Sequence, residues 1–149
     1  MSHTKPTAIR VIAICLFRRG DQILVFEGFD SVKGTHFYRP LGGGVDAGET
    51  SAQTIVRELQ EEVGAAVTDL HLLGVLESIF TVNERAGHEI VFVYDGRFVD
   101  ESFYTRATIT VTEDNGETMP ATWRSLDWFD EQHRLVPERL LALLTTKSG

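Results

Sequence analysis

Thr50-Ser51-Ala52-Gln53-Thr54-Ile55-Val56-Arg57-Glu58-Leu59-Gln60-Glu61-Glu62-Val63-Gly64 is the most legible stretch of the chain. Thr50 and Gln53 have the spacing of a capping box, and Gly64 suits the left-handed position that ends a helix. A step of about 100° per residue places Ala52, Ile55, Val56, Leu59 and Val63 on one apolar stripe, which is expected to face a sheet. Glu58, Glu61 and Glu62 stand at i, i+3 and i+4 and share an arc beside that stripe. Like charges at this spacing repel, and the negative end of the helix dipole disfavours Glu61 and Glu62 further. Three glutamates near a helix end commonly form a solvated face. A hard divalent cation resolves the conflict better, since Mg²⁺ takes oxygen ligands and is commonly shared with substrate phosphates.

Upstream residues extend the pattern. Five residues separate Gly43 from Glu49 and seven separate Glu49 from Arg57, after which Glu58-Leu59-Gln60-Glu61-Glu62-Val63-Gly64-Ala65 follows. This spacing resembles the Nudix box, with Ala65 where a larger aliphatic residue is usual. Arg39-Pro40-Leu41-Gly42-Gly43-Gly44-Val45 is similar to the loop that leads into such a box, although Asp46 replaces the more usual Glu. Gly74-Val75-Leu76-Glu77, the segment from His88 to Phe98 and the segment from Trp123 to Pro137 resemble the family less specifically.

The resemblance implies an α/β/α sandwich around a central mixed β-sheet. It also implies hydrolysis of a nucleoside diphosphate linked to another group: a nucleoside triphosphate, nucleotide sugar, ADP-ribose or dinucleoside polyphosphate. Carried over residue by residue, it makes Glu58, Glu61 and Glu62 the ligands of Mg²⁺ or Mn²⁺, with a backbone carbonyl at Gly42 or Gly43 beside them. Glu49 and Arg57 become the pair that fixes the loop against the helix, the support a metal site needs. Glu58 is the first choice of general base. Such sites often recruit one more carboxylate from a later loop; Glu117 is the best candidate, with Glu113 and Glu89 as competitors. Arg39 and His88 are candidates for phosphate or base contact, and Phe80 for stacking on a base. The segment Ala66 to Val82 contains no Pro or Tyr of the kind that marks substrate branches within the family. A nucleotide-sensing module of the same fold is the alternative function, but a sensor has no need of the complete set of box carboxylates.

Away from this stretch, Ile9 to Phe17 and Gln22 to Phe26 read as strands joined into a hairpin at Gly20-Asp21. Gly28 to Gly44 reads as a loop, Leu70 to Val82 and His88 to Val99 as strands. Asn115-Gly116 is a strong hairpin signal following Thr108 to Thr112. Pro137 is expected to open a last helix through about Thr145. Trp123, Leu126, Trp128 and Phe129 are expected to pack beneath that helix.

With 149 residues and 42% hydrophobic content, one domain spanning residues 1–149, with a core from about 8 to 146, is the expectation. Cys15, the single cysteine, lies in the apolar run Val11 to Phe17 and reads as a core residue compatible with a reducing compartment. No apolar stretch approaches membrane-span length and no cleavage signal follows the first apolar run, so a soluble, cytoplasmic protein is expected. The net charge of -8 argues against a nucleic-acid polymer as partner. It is compatible with a small phosphorylated ligand if cations lie between the two negative sets. A homodimer is compatible with the sequence, provided that the carboxylate face stays open.

Overall fold

The computed structural model describes residues 5–145, so the expected core boundary at residue 146 lies outside the described residues. The strands are β1 (Arg10–Leu16), β2 (Arg18–Arg19), β3 (Gln22–Asp30), β4 (Thr35–Arg39), β5 (Leu41–Gly44), β6 (Val67–Val82), β7 (Arg85–Phe98), β8 (Thr108–Thr112), β9 (Thr118–Ser125) and β10 (Arg134–Leu135). The helices are α1 (Ser51–Val63) and α2 (Leu140–Thr145), with short 3₁₀ turns at Glu101–Thr105 and Leu126–Trp128.

The expected α/β class and mixed pairing are present, with the strands divided between two sheets. One sheet runs β5-β1-β7-β6; the other runs β10-β4-β3-β9-β8, with β2 paired to β3. Both are mixed, because β1 lies parallel to β7 and β10 parallel to β4. The division follows from β1. Ile12 through Phe17 are all buried, so this run needs cover on both faces, which a half-exposed opening hairpin cannot give. It sits instead between β5 and β7, and the hairpin is confined to Arg18-Arg19 paired with Gln22-Ile23 and to Phe17 O, which accepts from Leu24 N–H at 3.2 Å.

Alternate β1 side chains enter two cores. Ala13, Cys15 and Phe17 join Leu24, Ile55, Leu59 and Trp123, whereas Ile12, Ile14 and Leu16 join Ile23, Val25, Val91, Val93 and Leu140. Since Ile55 and Leu59 belong to α1 and Leu140 to α2, the two helices cover opposite faces of β1. Trp123 lies in the α1 core, not beneath α2: it shares its strand face with Ala121, while Leu126, Trp128 and Phe129, beyond the end of β9, pack in the α2 core.

The stretch expected to be a loop contains β4 and β5. Leu41-Gly42-Gly43-Gly44 has almost no side-chain signal for a strand, yet a side chain at Gly42 would run into the backbone of Ala13 and Ile14. Glycine permits that close pairing with β1. Helix α2 starts at Leu140, not at Pro137, because residues 134–136 are extended along β4: Val136 N–H donates to Tyr38 O at 2.8 Å. On α1, Val56 is 50% exposed and Thr54 takes the buried place expected for it. The Thr54 hydroxyl is satisfied there by Glu49 Oε1 at 2.7 Å and Thr50 O at 3.1 Å. No helix among the described residues is long and apolar enough to cross a membrane.

Candidate active site

Helix α1 is capped as its sequence requires. Thr50 Oγ1 accepts from Gln53 N–H at 3.2 Å, and Gln53 Oε1 accepts from Thr50 N–H at 2.9 Å. At the other end Gly64 adopts φ 66° and its N–H reaches Gln60 O, while Ala65 N–H reaches Leu59 O at 3.2 Å. These paired bonds close the last turn in a Schellman motif, and Ala65 is buried against the core. The register of the three glutamates is thereby fixed at both ends.

Arg57 organises the loop before the helix. Its Nε and Nη2 hold Glu49 Oε2 and Oε1 at 2.8 and 2.9 Å, a bidentate pair, and Nη2 also donates to Gly44 O at 3.0 Å. Glu49 accepts further bonds from the Thr54 hydroxyl and the Asp46 N–H. With four donors around it, Glu49 is held down to about 2 from an ordinary 4.5, chiefly by Arg57 and Thr54. The same guanidinium turns its Nη1 to Glu58 Oε2 at 2.9 Å and Glu61 Oε1 at 3.2 Å. Arg57 thus ties the loop from Gly44 to Glu49 to the acidic face of α1, and its pKa is raised by the carboxylates around it.

The three helix carboxylates differ in their surroundings. Glu61 is half exposed and leans on Arg57. The Glu58 side chain is only 14% exposed and lies against Gly43, where any side chain would collide with its carboxylate. Burial, followed by the charges of Glu61 and Asp114, pushes its pKa up against the pull of Arg57. Glu62 is more extreme: Oε1 is buried with no hydrogen-bond partner, and burial followed by the charge of Glu58 raises its pKa to about 8. The backbone at Gly42 and the charge of Arg39 pull the other way. Buried carboxylate oxygens normally have partners, so this one is an unmet demand for positive charge.

The remaining expected residues are placed as follows. Glu117 is exposed at the β8–β9 hairpin, with its N–H on Asn115 Oδ1 and its carbonyl accepting from Glu113 N–H. Asp114 supplies the charge from this hairpin that reaches Glu58 and Glu62, and the sequence reading did not single it out. The hairpin itself was legible from Asn115-Gly116; which of its acids faces α1 depends on the turn. Glu89 lies on β7, 3.8 Å from Arg10, lining a neighbouring cavity with Arg39. His88 pairs in register with Ile79. Among the described residues, no three acidic, His or Cys side chains enclose an ion by themselves, and both Glu58 and Glu61 are bonded to Arg57. The partnerless Glu62 oxygen, the raised pKa values of Glu58 and Glu62, and the glycine surface beneath Glu58 nonetheless form an oxygen-rich donor set that fits a hard cation.

Comparison with known proteins places the chain among hydrolases of one family. Two NAD-capped RNA hydrolases NudC, from Pseudomonas aeruginosa strains LESB58 and PAO1, are each 33% identical over 114 residues. That match covers 76% of this chain and 35% of theirs, so the chain spans about a third of the length of these relatives. A MutT NUDIX hydrolase from Burkholderia pseudomallei superposes with TM-score 0.66 at 25% identity, covering 94% of this chain and 99% of that one. A NUDIX hydrolase from Nitrosomonas europaea gives TM-score 0.60 at 20% identity, covering 91% and 86%. The NUDIX domain model matches residues 6–144, nearly the whole sequence, and the chain belongs to the Nudix hydrolase family.

Proposed function

We propose that this Nudix hydrolase is a divalent-cation-dependent pyrophosphohydrolase, acting on a nucleoside diphosphate linked to another group. The observation that carries this reading is the buried, partnerless Oε1 of Glu62 beside Glu58. Glu58, Glu61 and Glu62 would hold Mg²⁺ or Mn²⁺ with a backbone carbonyl at Gly42 or Gly43, and Asp114 is the hairpin carboxylate whose charge is felt at Glu58 and Glu62. A cation held by these residues would supply positive charge to the phosphate oxygens and a lowered pKa to bound water.

The chain's own residues do the rest. Arg57 and Glu49 hold the loop and helix in register, and Arg57 also holds Glu58 and Glu61 by hydrogen bonds. Glu58, closely packed on Gly43, takes the proton of the attacking water. Arg39, whose charge is felt at Glu62, offers its guanidinium to a phosphate oxygen. The net charge of -8 leaves little basic footprint for a polymer and favours a small nucleotide derivative.

The test is hydrolysis of a panel of nucleoside triphosphates, nucleotide sugars, ADP-ribose and dinucleoside polyphosphates, in Mg²⁺ or Mn²⁺, read by chromatographic separation of the nucleotide products. An NAD-capped RNA joins the panel because of the name of the Pseudomonas aeruginosa relatives. At least one substrate is cleaved if the reading holds, and cleavage stops in EDTA. Tight calorimetric binding of one compound without hydrolysis of any, at high protein concentration, would replace it with a nucleotide sensor.

A further inference from the structure

Thr54 and Asp30 are the two buried polar or charged residues among the described residues, and Thr54 lies on α1 three residues before Arg57. Its hydroxyl has one proton and two oxygens within reach, Glu49 Oε1 at 2.7 Å and Thr50 O at 3.1 Å. The shorter contact ends on a carboxylate, so that bond is charge-assisted and takes the proton. A threonine in a helix can also bond the carbonyl four residues back, which for Thr54 is Thr50 O. Thr54 turns chiefly to Glu49, which lies before the helix starts.

Arg57 shows what this bond controls. A guanidinium has five N–H donors, and in Arg57 all five meet an acceptor. Nε and Nη2 donate to Glu49 at 2.8 and 2.9 Å, and Nη2 also donates to Gly44 O at 3.0 Å. The two donors of Nη1 go to Glu58 Oε2 at 2.9 Å and Glu61 Oε1 at 3.2 Å. Three donors serve the loop and two serve the acidic face of α1. Glu58 and Glu61 therefore meet Arg57 through one oxygen each and share one nitrogen. A bidentate pair with either glutamate would be stronger and would compete with a cation for both of its oxygens. The Nε–Nη2 edge that could form such a pair is occupied by Glu49. Glu49 is held in turn through Oε1, which accepts from the Thr54 hydroxyl and from Asp46 N–H as well as from Arg57.

We propose that Thr54 is a positioning residue of the acidic site: its hydroxyl fixes Glu49 so that the forked edge of Arg57 stays on Glu49 and leaves Glu58 and Glu61 open to a divalent cation. This rests on the reading of those glutamates as cation ligands, and adds a side chain that touches neither cation nor substrate. Without the hydroxyl the Glu49 carboxylate is free to turn. The Arg57 donors it releases then move to Glu58 and Glu61, the latter four residues on and on the same helix face.

The experiment measures binding, not turnover. Mg²⁺ is titrated calorimetrically, without substrate, into the wild type, Thr54→Val and Thr54→Ser. Valine keeps the branched shape and removes the hydroxyl, whereas serine keeps the hydroxyl. Thr54→Val is expected to weaken Mg²⁺ binding about tenfold, the lower end of the range for an outer partner of a metal site, and Thr54→Ser to recover most of that loss. In Glu49→Gln the hydroxyl has no carboxylate to hold, so adding Thr54→Val there costs little more; a packing defect would cost the same on both backgrounds. A second readout needs no metal. In EDTA the Arg57 Nε–H, bonded to Glu49, is expected to exchange with solvent faster in Thr54→Val than in the wild type, followed by heteronuclear NMR. Thermal unfolding in EDTA checks the folding of every variant; should Thr54→Val not fold, Thr54→Ala takes its place. The proposal is overturned by wild-type Mg²⁺ affinity in Thr54→Val, by an equal loss in Thr54→Ser, or by an undiminished loss on the Glu49→Gln background. Unchanged Arg57 exchange in Thr54→Val refutes the positioning role whatever Mg²⁺ does, whereas a wild type that binds no Mg²⁺ refutes the cation reading on which it rests.

Discussion

Glu62 concentrates the conflict between charge and burial, and its consequences have a definite sign. Its folded pKa of about 8 exceeds the ordinary 4.5, so the metal-free folded state keeps a proton that the unfolded chain releases in that window. Stability in EDTA therefore falls as pH rises from about 4.5 to about 8 and levels off above it. Glu58, shifted in the same direction, adds to the slope. Glu62→Gln removes the Glu62 part of this dependence and makes the metal-free protein more stable than wild type above pH 8, because a neutral amide has no charge to desolvate. The same substitution is expected to lower kcat/KM by about 10²- to 10³-fold, the range for deleting one preorganised electrostatic group. Thermal unfolding in EDTA across pH, with kinetics in Mg²⁺, measures both; wild-type turnover in the variant at limiting Mg²⁺ would remove Glu62 from the site.

Helix α1 and the β8–β9 hairpin bring the acids together. The helix gives its glutamates a fixed spacing, whereas the hairpin presents one of several acids according to its turn. Glu113 N–H is bonded to Glu117 O and Gly116 N–H to Glu113 O, and the tip so formed leaves Asp114 as the acid whose charge reaches Glu58 and Glu62. Asp114→Asn should raise the Mg²⁺ concentration for half-maximal turnover on the order of tenfold, the effect of losing an outer partner of a metal site. Glu117→Gln should change it much less. A Mg²⁺ titration of both variants decides between them, and a larger effect from Glu117→Gln would reverse the assignment.

Across the whole molecule, one cation bound at the acidic face should be visible as global stability. The free chain carries a net charge of -8 and an unmet carboxylate demand, and a ligand that binds only the folded state stabilises it by mass action. At a concentration one hundred times its Kd the gain is about 2.7 kcal/mol, which for a protein of this size raises Tm by roughly 5–10 °C. Sodium chloride at matched ionic strength controls for general screening. The rise should be lost in Glu62→Gln; an equal rise in that variant would mean that Mg²⁺ acts elsewhere on the chain.

The sequence by itself determined what depends on local spacing. The capping box, the Gly64 stop, the i, i+3, i+4 glutamates and the interval from Gly43 to Arg57 all lie within 22 residues and were legible together. The hairpin at Asn115-Gly116 was legible for the same reason, since turn chemistry is local. Tertiary structure decided what depends on partners distant in the chain. β1 left its expected hairpin for the parallel place beside β7, because a run buried on both faces must have strands on both sides. Leu41 to Gly44 became a strand through close approach to β1, which no propensity of glycine foretells. Thr54 displaced Val56 from the buried face because Glu49 and Thr50 could satisfy its hydroxyl. The acid whose charge reaches Glu58 and Glu62 was likewise decided by the turn geometry at the hairpin tip, since Asp114 lies on neither strand of the hairpin.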